Sequence, residues 1–173
     1  MMNNLIYANT EHGIQVSGTR TVANMRIYNN TIVNNQDGSG IMIYKAMSSV
    51  DIANNILAGN NRFGIGTCDS SGCGVQLRNN LFYNNTLGRW DNNATFCSFN
   101  NIIFALSANI PADNNPGTPE QNPMFVNPAS DWHLQMGSPA INMGTSLGIV
   151  TLDYDGVTRP QGGAYDMGAY EYH

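Results

Sequence analysis

The sequence predicts an all-β protein: a right-handed parallel β-helix, a single-stranded solenoid with three faces and an irregular C-terminal cap. Three observations carry this. First, an Asn-Asn pair recurs at Asn3-Asn4, Asn29-Asn30, Asn54-Asn55, Asn79-Asn80 and Asn100-Asn101, at spacings of 26, 25, 25 and 21 residues. Second, an apolar pair in period-2 alternation precedes most of them: Met25 and Ile27, Val50 and Ile52, Val75 and Leu77. Third, a short apolar run follows each pair, and Gly-Ile opens a further strand at 13–14, 40–41 and 64–65. A fixed period of this size marks a repeat architecture, and three short strands per period describe one coil of a three-faced helix.

Each element has its physical reason. Asparagine tolerates the left-handed backbone region and hydrogen-bonds its own chain, which suits the corners between strands. Stacked at one corner, its side chains also bond from rung to rung. Leucine-rich repeats have shorter periods and a Leu consensus, and propeller blades are longer. Residues 1–104 read as coils. Residues 105–122 hold three prolines and read as a loop leaving the stack. Residues 123–173 read as terminal rungs and a cap of the same domain, since a repeat stack needs a distinct end unit.

Composition narrows the function. The chain has 173 residues, enough for one domain with a real core. Charged residues make up only 11% against 42% hydrophobic, and the net charge is −5 with a single lysine, Lys45. Without a basic run, nucleic acid is excluded as a partner. No apolar stretch approaches the roughly 20 residues of a membrane span, so no membrane partner is expected. The first residues do not resemble a signal peptide. Cys68 and Cys73 frame a small loop that a disulfide could close; Cys73 and Cys97, about one coil apart, could instead bridge neighbouring rungs. Either pairing points to an oxidising compartment.

The coils and the segment from Asn122 to Tyr172 resemble the pectate-lyase-like superfamily of parallel β-helix proteins. The segment carries Ser138-Pro139-Ala140-Ile141, Asp153-Tyr154-Asp155-Gly156, Arg159-Pro160 and Asp166 to Glu171, which look like the C-terminal elements of secreted bacterial β-helix proteins. Asn142 departs from the aspartate expected there. The resemblance implies secretion and contact with polysaccharide, and a fold of this kind carries enzymes and binding modules alike.

For turnover, the candidates are few. Asp153 and Asp155, at i and i+2, are the best carboxylate pair for a glycosidase, and Lys45 is a candidate lyase base. The same Asp-Tyr-Asp-Gly stretch reads more simply as a turn whose Asp caps backbone amides or pairs with Arg159. No cofactor is expected, although calcium would suit a lyase of this type. For binding, aromatic rings stack on sugar faces and amides meet hydroxyls. Trp90, beside Asp91 in a coil without its Gly-Ile signature, is the leading candidate. Met42, Tyr44, Tyr28 and Arg78 follow, placed outward by period-2 alternation.

The expected function is therefore a non-catalytic carbohydrate-binding module for a xylan- or pectin-like plant cell-wall polysaccharide, secreted and accessory to a degrading enzyme in the same or an associated protein. A small polysaccharide lyase or glycoside hydrolase is the alternative, and a structural or adhesive end module the second. The uncovered first rung leaves end-to-end dimerisation open.

Overall fold

The computed structural model describes residues 1–17, 24–44, 50–67, 75–90, 97–99, 102–103 and 121–173, of which 67, 88–90, 97–99 and 102–103 are described by their backbone. The described chain contains strands and no helix. Three parallel sheets stack the coils. The first contains β1 (Leu5–Tyr7), β4 (Thr31–Val33), β7 (Ile56–Ala58), β10 (Leu81–Tyr83) and β13 (Ile102–Ile103). The second contains β2 (Ile14–Val16), β5 (Ile41–Ile43), β8 (Phe63–Thr67) and β11 (Gly88–Trp90). The third contains β3 (Met25–Tyr28), β6 (Val50–Ala53), β9 (Val75–Arg78) and β12 (Cys97–Phe99). The strand pairs register one coil apart, so Ile27 lies opposite Ile52, and Ile52 opposite Leu77. The solenoid expected from the 25-residue spacing is the solenoid observed.

The asparagine pairs divide their labour. The first member of each pair turns the corner with positive φ: 51° at Asn29, 57° at Asn54 and 48° at Asn79. The second is buried and builds a ladder. Asn30 donates through its backbone N–H and its side-chain amide to Oδ1 of Asn55, at 3.0 and 2.9 Å. Asn55 does the same to Asn80, at 3.0 and 2.8 Å. A second corner repeats the device from Asn9 through Asn35 and Asn60 to Asn85, every step with an amide–amide bond of 2.7–2.8 Å. Buried corner amides are thereby satisfied without charge, as buried polar groups must be.

The interior is filled by one apolar residue stacked on another. Ile14, Ile41 and Ile65 form one column, Ile32, Leu57 and Phe82 another, all nearly or wholly buried. The first sheet is apolar on its outer side too. Val33, Ile56, Ala58 and Leu81 face outward yet are buried, because the terminal segment covers them with Phe125, Trp132, Leu134, Ala140, Met167 and Tyr170. A strand covered on both faces reads as a continuous apolar run rather than an alternating one. That is the origin of the runs that follow each Asn pair.

The terminal segment lies along the flank of the stack rather than across its end, as a cap would. It holds an antiparallel hairpin of β14 (Phe125–Asn127) and β15 (Asp131–Leu134). From there it follows the corner of the coils. Asn79 donates to the carbonyl of Met143 at 2.8 Å, Asn54 to that of Thr145 at 2.8 Å, and Asn29 to that of Asp166 at 3.0 Å. It reaches the first coil, where Arg159 donates to Oδ1 of Asn3 at 3.3 Å. Gly168 (φ 91°) packs directly against the first sheet. A Cβ there would sit 2.7 Å from Ile56 and 2.8 Å from the Thr31 hydroxyl, so only glycine fits.

Candidate functional site

The third sheet keeps part of its outer face open. Its register sets Arg26, Asp51 and Gln76 in one column, and Tyr28, Ala53 and Arg78 in the next. The second column is partly roofed: Tyr28 and Ala53 are buried beneath Leu147, Val150 and Tyr165 of the terminal segment. The first stays open and floors a groove of about 340 Å³, whose far wall is Leu147, Gly148 and Ile149. Neither the coils nor the terminal segment forms this groove alone.

Asp51 is the hub of the groove. Its carboxylate accepts from the Tyr28 hydroxyl at 2.6 Å, and from Arg78 through Nε at 3.2 Å and Nη2 at 2.5 Å. Ala53, the small residue between Tyr28 and Arg78 in their column, leaves room for both to reach it. Burial raises the Tyr28 phenol to about 12, with the hydrogen bond to Asp51 adding to the rise. The hydrogen bond to Asp51 raises Arg78 against the opposing effect of its burial. Asp51 is therefore fully engaged. Arg26, one coil away, is exposed and makes no side-chain hydrogen bond or ion pair among the described residues. Among the described residues, Asp51 is thus matched by Arg78, and Arg26 adds a second positive charge at the groove, on a chain of net charge −5.

The structure sorts the sequence candidates. Arg78 reaches the site, held by Asp51. Tyr28 reaches it only through its hydroxyl. The residue, expected with its ring on an outer surface, is 5% exposed, because the terminal segment lies over it. Met42, also expected outward, is buried, with its sulfur over Gly66 of the next coil. Tyr44 is exposed and lies on another part of the surface, where its hydroxyl is 3.1 Å from Nε2 of His12. Trp90 ends β11 with its backbone opposite Ile65. Asp91, Lys45, Cys68 and Cys73 lie outside the described residues, as does the side chain of Cys97. Arg26 is the residue sequence reasoning missed as a candidate. Its signal was the column it shares with Asp51 and Gln76.

The carboxylate pair considered for catalysis does not converge. Asp153 is buried and accepts from the backbone amides of Asp155, Val157 and Glu171 at 2.8–2.9 Å, which makes it the predicted turn cap. Asp155 is instead paired with His133. Glu171 forms a wholly buried ion pair with Arg159 at 2.5 Å. Burial lowers Arg159 from its ordinary value and raises Asp166. Asp166 in turn accepts from the amides of Asn142 and Tyr172 at 2.6 and 2.7 Å. The residue at 142 thus offers its backbone N–H to Asp166 and its own Oδ1 to Ala164. Among the described residues, no group of three His, Cys, Asp or Glu is placed to hold a metal ion.

A stack of parallel coils built from three sheets defines the class: a parallel β-helix. Residues 1–115 match the family model described as the right-handed β-helix region, and the chain belongs to that family. No curated protein and no solved structure matches the chain.

Proposed function

We propose that the chain is a non-catalytic carbohydrate-binding module that holds an extended acidic polysaccharide, pectin-like or a glucuronate-bearing xylan, along the groove of the third sheet. One observation carries the reading: among the described residues, Arg26 makes no side-chain hydrogen bond or ion pair, in a groove where the one described lining carboxylate, Asp51, is already paired with Arg78. A guanidinium is suited to a sugar carboxylate because it offers two parallel N–H donors. Gln76 supplies an amide for hydroxyls two rungs, roughly 10 Å, away. Three carboxylates of the terminal segment, Asp153, Asp166 and Glu171, weigh against a part in turnover, since they are buried in backbone contacts and the Arg159 pair, while Asp155 is paired with His133. A general acid or base must instead be free to meet substrate. As in the sequence reading, the module would be extracellular and would serve a polysaccharide-degrading enzyme.

Affinity electrophoresis against polygalacturonate, methyl-esterified pectin and neutral arabinoxylan tests this. Retention should be strongest on polygalacturonate and weaken with salt. R26A should lose about 10-fold to 100-fold in affinity, the loss expected for one charged hydrogen-bonded contact. Retention that is unchanged in R26A, or absent on every acidic chain, would overturn the assignment. Release of unsaturated or reducing sugar would favour the lyase or hydrolase reading.

A further inference from the structure

A second constellation lies on the terminal segment, apart from the groove. His133, on β15, stands between two carboxylates. Its Nδ1 is 2.6 Å from Oδ1 of Asp131 on the same strand, and its Nε2 is 2.8 Å from Oδ2 of Asp155 in the turn at 153–156. The ring rests on Tyr170, with centroids 4.0 Å apart, and Tyr154 packs edge-on against that tyrosine at 5.5 Å. These are the titratable groups that face it. Asp153, just behind, is committed to backbone amides.

The geometry has a chemical consequence. Ionised carboxylates only accept hydrogen bonds, and a neutral imidazole has a single N–H. Both contacts can be hydrogen bonds only when the ring is doubly protonated. A neutral ring must turn one lone pair on a carboxylate oxygen. The contact to Asp155 is the one that ties two separate elements together, the hairpin β14–β15 and the closing turn. The hairpin carries Phe125, Trp132 and Leu134, which cover the outer side of the first sheet.

We propose that His133 is a proton-operated clasp, fastening the hairpin to the closing turn when protonated and loosening it when neutral. The direction of its titration agrees. Burial pulls His133 down, but the hydrogen bonds to Asp155 and Asp131 outweigh it and leave it raised. Asp131 is lowered by the same contact. A raised folded value means that the clasp's contribution is complete below the free-histidine value of about 6.5. It is lost as pH rises through the folded value.

The test is a proton-NMR titration of the whole chain, with the His133 resonance assigned by H133Q. Amide exchange in Phe125–Leu134 is followed alongside, corrected for intrinsic exchange. The midpoint should lie above 6.5, and hairpin exchange should quicken severalfold above it. D155N gives a second reading, because its side-chain amide can donate to a neutral ring. The hairpin should then be held equally at both ends of the pH range. A midpoint at or below 6.5, or an unaltered pH dependence of hairpin exchange in H133Q or D155N, would overturn the proposal.

Discussion

In the coils, buried polarity is neutral and repeated; in the terminal segment it is charged and occurs once. Asn30, Asn55 and Asn80 meet copies of themselves one coil away, so one residue type solves every rung. The terminal segment has no neighbouring copy. Arg159 must serve Glu171, the carbonyls of Asp166 and Gly168, and Asn3, each through a separate atom-to-atom fit. Translation makes the first solution tolerant and extensible. The second is tied to particular partners, and losing one leaves a bare charge.

The comparison predicts an order of damage. E171Q should be worst, about 3–5 kcal/mol in denaturant unfolding, because it leaves the Arg159 guanidinium buried without its counter-charge. A cost below 1 kcal/mol would show that water reaches the pair. N55A comes next, at about 2–4 kcal/mol, since it orphans the buried backbone N–H of Asn30 and leaves its side-chain amide only the longer bond to the Met1 carbonyl. N4A, at the exposed end of the same ladder, should cost about 1 kcal/mol or less. Equal losses for the two would mean that the ladder is not cumulative. The smallest effect is in alkali. Tyr28 on the coils and Tyr170 on the terminal segment are both raised to about 12, Tyr170 chiefly by burial. Their share of stability is present below about 10 and lost as pH rises through 12. Phenolate absorbance should show two tyrosines titrating late, and Y28F should remove one at a cost of about 0.5–1.5 kcal/mol.

The coils were legible in the sequence because their chemistry repeats. The Asn pairs gave the corners and ladders, and the alternation around Ile27, Ile52 and Leu77 gave the core. Asp153 as a turn cap was legible too, since Asp-x-Asp-Gly is local chemistry. The flanking course of residues 123–173 was not, because its partners are about 65–155 residues away in the chain. The apolar runs Ile32–Val33 and Ile56–Leu57 carried a hint of it, since alternation would leave one residue of each on an open outer face. The groove was half legible. The alternation of Met25 with Ile27, Val50 with Ile52 and Val75 with Leu77 leaves Arg26, Asp51 and Gln76 between them facing outward, but which column stays open depends on where Leu147 and Val150 come to rest. The same packing explains why Tyr28 lost its open ring face.

The flanking segment also sets a timetable for synthesis. Thr31 meets Ala169, and Asn3 meets Arg159, only after the 138 and 156 residues that separate them have been made. At about 5–20 residues per second, the first coils wait roughly 10–30 s on the ribosome with the outer side of β4 and β7 uncovered. During that interval their own ladders and the stacked interior hold them. The neutral, self-matching corners are thus what the nascent chain relies on first, and the charged network arrives last to lock a stack that already stands.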